Sequence, residues 1–485
     1  INDFQGITVM VDTQKLGGTR AGRKAQSVQD DLGRIHVLEK KIAEGGQGAV
    51  VTIKSQPRWL VKLCKWPSAD PRAKVWAQQI AAVKRLPLED FDLPFAMPKA
   101  LILKPRVGYL MELMDGLVPL EDLLIEAQNA MLDGRGLEGF LTSGGLKRRL
   151  AVLARLARVL AKLHGLGLAH GDLSPKNVFV SQSVEHAQVW LIDCDNLTYA
   201  VRNSTLQLYT PDYGAPELVR EDAGISTYTD IWSFAVMAFQ LLSLVHPFKS
   251  GDMVDADPEL ESAALHGELP WIDHPQDGCN STALGISRST VCTPELTQLF
   301  DRCFRGGAQT PEARPLMTEW AEAFETALAL QTVCEPSAGG CGSSILWSEK
   351  GECPFCESTA SSQQAIRLHH FLFCPLDQLP EGSVNKDRWI KSERHQVVGQ
   401  QPVHLRNAPP GAASYADSEV IAEIVIKGHE LCITPSGDKA LYLQMAGHKS
   451  PTRIKGRVNL PRRELAHALH VGELSNMHDA WNFKW

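Results

Sequence analysis

Between Gly33 and Lys65 the apolar positions fall in short runs of the kind strands make. Ile35, Val37 and Leu38 precede a glycine-rich turn, Val50, Val51 and Ile53 follow it, and Trp59–Cys64 is a further run. After Asp70 the spacing becomes helical, with Pro71 suited to the first turn and Pro87 closing the helix after Leu86. A longer helix is predicted over residues 146–164, where Leu150, Leu153, Leu156, Leu160 and Leu163 share one face and Gly165 is the stop. Further helices are predicted at 230–245, 294–303 and 312–330. Beyond Leu330 the pattern breaks: residues 331–361 are rich in Cys, Gly, Ser and Pro. Residues 365–485 then alternate as short strands, with turns at Pro409-Pro410-Gly411 and Pro435-Ser436-Gly437. Residues 1–33 read as an extended lead-in.

Composition narrows the class. The 485 residues are 44% apolar and 22% charged, as in soluble globular chains, and exceed one ordinary domain. Lys and Arg total 49 against 56 Asp and Glu, a net charge of −7 that argues against a general nucleic-acid binder. The longest apolar stretch, Ile231 to Val245, is interrupted by Ser233, Gln240 and Ser243 and reads as a buried helix, not a membrane span. No secretory leader is evident at Ile1, and the missing initiator Met suggests a trimmed chain. Eleven cysteines, five of them crowded into 334–374, suggest a metal site in a reducing compartment, with the cytoplasm as the expected location.

Six short motifs follow one another. Ala43-Glu-Gly-Gly-Gln-Gly-Ala-Val50 is a glycine-rich turn whose backbone can approach phosphate oxygens; alone it equally suits an ordinary hairpin. Lys62, in a strand twelve residues after Val50, can reach phosphates, with Lys65 as its rival. His170-Gly-Asp-Leu-Ser-Pro-Lys-Asn177 is the most specific: Asp172 can accept a hydroxyl proton, and Asn177 can bind Mg²⁺. Asp193, at the end of an apolar strand in Leu191-Ile-Asp-Cys-Asp195, is suited to a second metal contact. Thr210-Pro-Asp-Tyr-Gly-Ala-Pro-Glu217 and the pair Asp230-Ile-Trp-Ser-Phe234 and Glu312-Ala-Arg-Pro315 complete the set. Their expected roles are structural, Glu217 pairing with Arg314 and Asp230 anchoring the catalytic loop.

Together these motifs resemble the eukaryotic-type (Hanks-type) Ser/Thr protein kinases, over residues 34–330, roughly 60% of the chain. The resemblance implies an α+β, bilobal fold, with a β-rich lobe at 34–114 and an α-rich lobe at 115–330. It implies ATP and Mg²⁺ (or Mn²⁺) as cofactors. Gly45, Gly46, Gly48 and Val50 would cover the nucleotide, and Lys62 would contact its α- and β-phosphates. Met111 resembles the gatekeeper, and Glu112 to Met114 the hinge. Asp172 would be the catalytic aspartate, and Asn177 and Asp193 the metal ligands.

The chain departs from that pattern in five places. Ala43 stands where the first glycine of the loop is usual, and Gly171 where an arginine usually reads a phosphorylated activation segment. Cys194-Asp195 replaces Phe-Gly of D-F-G. Ser174 replaces the lysine two residues after the catalytic aspartate, leaving Lys176 to supply the γ-phosphate cation. Gln79 falls where a helix glutamate usually pairs with the strand lysine, and a neutral amide gives that lysine less electrostatic help. The segment around Asp193, with the cysteine cluster behind it, further resembles bacterial kinases of tellurite-resistance-like modules. Those kinases are encoded beside a metal-dependent phosphatase and a von Willebrand A-type protein, which the resemblance implies as partners.

Cys353-Pro-Phe-Cys356 is a metal-binding knuckle, and with Cys341 and Cys334 it resembles a zinc ribbon holding structural Zn²⁺. The six-residue gap after Cys334 is longer than usual, so His369, His370 and Cys374 are alternative ligands. Lys449, Arg453, Lys455, Arg457, Arg462 and Arg463 form a basic run that reads as a solvated strand face or a docking surface. No membrane contact is expected. Two competing functions fit some of the same residues. One is a small-molecule kinase of the aminoglycoside or choline type, which shares H-G-D-L-x-x-x-N. The other is a pseudokinase scaffold, for which Gln79 is the main argument. Ser204, Thr205 and Thr210 lie in the activation segment as candidate phosphoacceptors.

Overall fold

The computed structural model describes residues 26–44, 48–91, 93–200, 209–254, 257–348, 351–359, 365–407, 418–448 and 450–485. The chain packs as two compact units. The first takes in the chain up to Glu121 together with Lys162–Ser183 and Gln188–Ser233; the second takes in the rest.

The first unit is built on a closed antiparallel barrel. Its strands are β1 (Ser27–Asp30), β2 (Ile35–Glu44), β3 (Gly48–Ile53), β4 (Gln56–Cys64), β5 (Ala100–Lys104) and β6 (Gly108–Glu112). Their spatial order is β1-β2-β3-β4-β6-β5, and β1 pairs with β5 to close the ring. Alternation along each strand sorts the side chains onto two faces. Val28, Ile53, Val61, Leu63, Ala100, Ile102 and Leu110 fill one. The other carries Cys64 and Tyr109, which pack on helix α1 (Pro71–Val83). Asp70 caps that helix by accepting the Arg72 N–H, and Ala73, Trp76, Ile80 and Val83 form its buried stripe. The helix ends three residues before the predicted Leu86, with Lys84 as its C-cap.

Short strand pairs bracket the loops that carry the chemistry. Leu168–Ala169 pairs with Thr198–Tyr199, and Val178–Ser181 pairs with Val189–Leu191 and with Leu117–Pro119. The loops 170–177 and 192–197 are thus each fixed at both ends by ladder hydrogen bonds.

Most of the α-helices contribute to the second unit. Helices run over Leu120–Leu132, Gly145–Gly165, Thr227–Ser243, Pro294–Asp301 and Met317–Ala329. The last starts five residues later than the sequence suggests, because Pro311–Ala313 forms a separate 3₁₀ turn. Helix Leu120–Leu132 was not anticipated. An aromatic core of Phe239, Phe300, Phe304 and Trp320 lies here, with Phe300 and Trp320 ring centres 4.9 Å apart. Arg149, fully buried, donates to the carbonyls of Leu241, Phe140, Gly145 and Leu123; burial brings its pKa down to about 9. No described helix is long and apolar enough to cross a membrane.

Gln331–Val333 and Ser344–Leu346 form a two-stranded ribbon. A six-stranded and a four-stranded antiparallel sheet follow, built from the strands between Ile366 and Lys484. Leu368, Ile424, Ile433, Leu469 and Trp481 lie at the centre of their shared core.

Candidate active site

Asp230, nearly inaccessible, organises the loop 170–177. Its Oδ2 accepts the His170 N–H at 2.6 Å and its Oδ1 the Gly171 N–H at 3.0 Å. The His164 imidazole, in the last turn of the helix Gly145–Gly165, lies 3.1 Å from Oδ2. His170 in turn places Nε2 3.1 Å from the Ile192 carbonyl and so ties the loop to the segment before Asp193. These bonds leave Asp172 partly exposed at the tip. Its carboxylate accepts a bond of 2.7 Å from the Thr210 hydroxyl, and its carbonyl accepts the Asn177 amide at 2.8 Å. Asn177 thereby keeps its amide oxygen for another partner.

Lys62 is 5% exposed, so its charge requires compensation. Two carboxylates supply it. Lys62 donates to Asp193, and its ammonium lies 3.1 Å from each oxygen of Asp195. Burial opposes the charged form, but Asp193 and then Asp195 outweigh it and hold the Lys62 pKa above its ordinary value. Burial raises the Asp195 carboxyl, with Lys62 opposing the rise. Asp193 has a left-handed φ of 60°, and Trp76 Nε1 donates to Asp195 at 2.8 Å. Gln79 does not serve as a partner of Lys62: its amide donates to the Leu197 carbonyl at 2.8 Å, on the backbone beyond Asp195. The expectation that position 79 supplies the partner, in weakened form, is therefore corrected. The carboxylate comes from Asp195, which sequence reasoning noted only as a departure from D-F-G.

The other expected residues are placed as follows. Gly45 and Gly46 lie outside the described residues, as do Ser204 and Thr205. Gly48 is a glycine for a structural reason: a Cβ there would lie 2.0 Å from the Leu63 carbonyl oxygen. Val50 is paired with Lys62 across β3 and β4. Met111 is paired with Leu60, and Leu113 donates to the Arg58 carbonyl at 2.8 Å, so Glu112 and Met114 flank a backbone already tied to β4. Lys65 sits over the Trp66 ring, 5.1 Å from its centre. Lys176 is largely exposed, its ammonium 3.6 Å from Glu121. Glu217 is buried in the first unit; in the second, Arg314 is buried and donates to the Gly307 carbonyl at 2.9 Å.

Part of this region matches a known family. Residues 124–322 fit the family model of the protein kinase domain. That stretch of the chain is thus similar to a protein kinase domain. Its relatives include Serine/threonine-protein kinase pkn2 of Myxococcus xanthus, 34% identical over 126 residues, covering 24% of this chain and 15% of that protein. Serine/threonine-protein kinase DCLK2 of Homo sapiens is 28% identical over 149 residues, covering 30% and 19%. Calcium-dependent protein kinase 2 of Arabidopsis thaliana is 29% identical over 148 residues, covering 30% and 22%. The chain thus spans less than a quarter of the length of these relatives. Asp172, Asn177, Asp193, Asp195 and Asp230 all fall within the kinase-domain match.

The second unit holds a separate cluster. The sulfurs of Cys334, Cys341, Cys353 and Cys356 all lie within 4.8 Å of one another. Cys334 and Cys356 are 3.6 Å apart, and Cys341 and Cys353 3.7 Å. Tetrahedral Zn²⁺ with Zn–S bonds of about 2.3 Å requires S–S edges of about 3.8 Å, so four thiolates here fit that ion. Gly340 makes room for the first loop, since a Cβ there would lie 2.6 Å from the Cys334 sulfur. Phe355 points its N–H at the Cys353 sulfur from 3.5 Å. Burial raises the Cys341 thiol, but bonds with Ser343 and the neighbouring cysteines bring it down to about 7; burial pushes Cys353 up to about 12. His369, His370 and Cys374 are not in the cluster. His370 instead bonds Asp479 at 2.9 Å. In the basic run Lys449 lies outside the described residues, Arg457 bonds Asn459, and Arg462 bonds Glu464.

Proposed function

We propose that the chain is an ATP-dependent protein kinase that phosphorylates Ser or Thr hydroxyls of a protein partner. The observation that carries this reading is the Thr210 hydroxyl, which donates to Asp172 at 2.7 Å: the carboxylate already accepts an aliphatic hydroxyl of the type to be phosphorylated. Asp172 orients the acceptor and takes its proton. Asn177 and Asp193 offer the oxygen donors a Mg²⁺ ion requires, and Mg²⁺ with ATP supplies the phosphoryl group and its charge neutralisation. Lys62 steadies the α- and β-phosphates. Lys176, long and exposed, adds positive charge near the acceptor when it leaves Glu121.

The four cysteines hold structural Zn²⁺ in a ribbon-like module, and the β-rich segment that follows is an accessory domain. The D-C-D-N segment and this module support a bacterial, cytoplasmic stress-signalling kinase of the tellurite-resistance type. A cognate phosphatase and a von Willebrand A-type protein are its expected partners.

The test is incubation with Mg²⁺ and ATP and a generic protein acceptor, followed by intact mass. Phosphate should appear with the wild type and be absent with Asp172→Ala and Asp193→Ala. Transfer to free aminoglycosides instead would overturn the assignment of protein as acceptor.

A further inference from the structure

We propose that Asp195 is the positioning residue of Lys62, in place of the carboxylate that α1 lacks at Gln79; the proposal rests on the kinase reading above. Asp193 and Asp195 both reach the lysine, but their settings differ. The Asp193 side chain is 30% exposed, and on the kinase reading it is the one that would also hold a metal. That of Asp195 is fully buried and meets the ammonium with both oxygens at 3.1 Å. A metal that engages Asp193 draws on the same negative charge that Lys62 uses. A lone shared carboxylate would leave the lysine under-compensated at the moment it must contact phosphate. Asp195 has no path to solvent and remains on Lys62 throughout.

Helix α1 still takes part, by a different route. Trp76, one turn before Gln79, donates its indole N–H to Asp195 Oδ2 at 2.8 Å. Gln79 holds the backbone two residues further along through the Leu197 carbonyl. The helix therefore sets the carboxylate, and the carboxylate sets the lysine. Trp76 is itself fixed by packing on Tyr109, their ring centres 5.9 Å apart, and Tyr109 is opposite Lys62 across β4 and β6. A charged side chain at position 79 is not needed in this arrangement. The missing glutamate thus ceases to argue for an inactive scaffold.

The test is a double-mutant cycle in the full chain with Asp195→Asn, Lys62→Met and both together. Asparagine keeps the volume and an oxygen for the indole; the double variant leaves no fully buried charge unpaired, since the remaining Asp193 side chain is 30% exposed. If Asp195 acts through Lys62, Asp195→Asn should lower kcat/KM for ATP by about 30-fold, and the double variant should be no worse than Lys62→Met alone. The same pattern should appear in affinity for a non-hydrolysable Mg²⁺–ATP analogue. Asp195→Asn within about threefold of wild type, or losses that multiply in the double variant, would overturn the proposal. If the wild type transfers no phosphate, the kinase reading fails by itself, and the affinity cycle still decides the role of Asp195. Should Asp195→Asn not fold, Trp76→Phe removes only the indole bond. It should lower kcat/KM by about fivefold in wild type and leave the Lys62→Met background unchanged; an undiminished loss in that background would overturn the proposal.

Discussion

The candidate active site and the four-cysteine module both hold reactive groups in short loops, but they are assembled in different ways. Lys62 and Asp195 are 133 residues apart in sequence, Asp172 and Thr210 38. Their geometry is imposed by a barrel, a helix and a buried aspartate. Cys334 and Cys356 are 22 residues apart, and local turns place all four sulfurs. In the first region the fold makes the site. In the second, the ion proposed among the four thiolates would supply what local packing does not, because the ribbon has only two three-residue strands.

Removing that ion should therefore have the largest effect. A strong chelator, or Cys353→Ser, should abolish zinc in native mass spectra and unfold the module as a whole. Retention of full hydrogen-exchange protection in residues 331–358 after metal loss would break the comparison. On the other side, Asp172→Ala should lower phosphate transfer by about 10³-fold with little change in melting temperature, since its proposed role is in catalysis and its side chain does not hold the loop. Asp230→Ala should do the reverse in part. It orphans the buried N–H groups of His170 and Gly171, costs about 2–4 kcal/mol of stability, and lowers activity as a consequence. A thermal shift near zero for Asp230→Ala would remove its anchoring role.

The contrast extends to acid. His470 Nδ1 lies 2.9 Å from His478 Nε2, and His478 Nδ1 donates to the Asn476 carbonyl at 2.7 Å. Protonating His478 Nε2 would set two N–H groups face to face. Burial, then the neighbouring His478, lowers the His470 pKa to about 4. The unfolded chain takes up this proton near pH 6.5, so the second unit should lose about 2 kcal/mol as pH falls from about 6.5 to 4. In the first unit, burial of Asp30 is outweighed by bonds from His36 and Arg34 that lower its pKa to about 2. Its contribution is complete above about pH 4 and fades only as pH falls towards 2. Hydrogen exchange at pH 5 should thus show weakened protection in residues 366–484 before the barrel strands. Uniform protection at that pH would remove the distinction.

The same division explains what could be read from the sequence. Spacing within a loop is local, so His170 to Asn177, the Asp193 segment and the cysteine knuckles were visible as motifs. The helix Gly145–Gly165 was visible because its leucines repeat at helical spacing, and the alternating tail was visible as strands. The exchange of Gln79 for Asp195 was not. It depends on how α1 crosses the loop at 192–197, a contact between segments more than a hundred residues apart. The available signal was a second aspartate two positions after the first, together with an indole one turn before the neutral helix position. The place of Cys334 among the four clustered sulfurs was readable despite its long gap, and Gly340 lets the loop fold back beside that sulfur. The helix Leu120–Leu132 lies between motifs and was passed over for that reason, although its apolar positions repeat at helical spacing.

Gly171 has a further consequence for anyone redesigning this protein. It sits at φ +85°, and a Cβ there would come within 3.0 Å of both the Asn196 carbonyl oxygen and the Ile225 side chain. Installing arginine at this position would force the backbone out of a region that L-residues seldom adopt and push it against the neighbouring loop. A phosphate-operated version of this protein cannot be reached by that single replacement. An engineer would have to recruit the cation from another position, or rebuild the catalytic loop and its neighbour together.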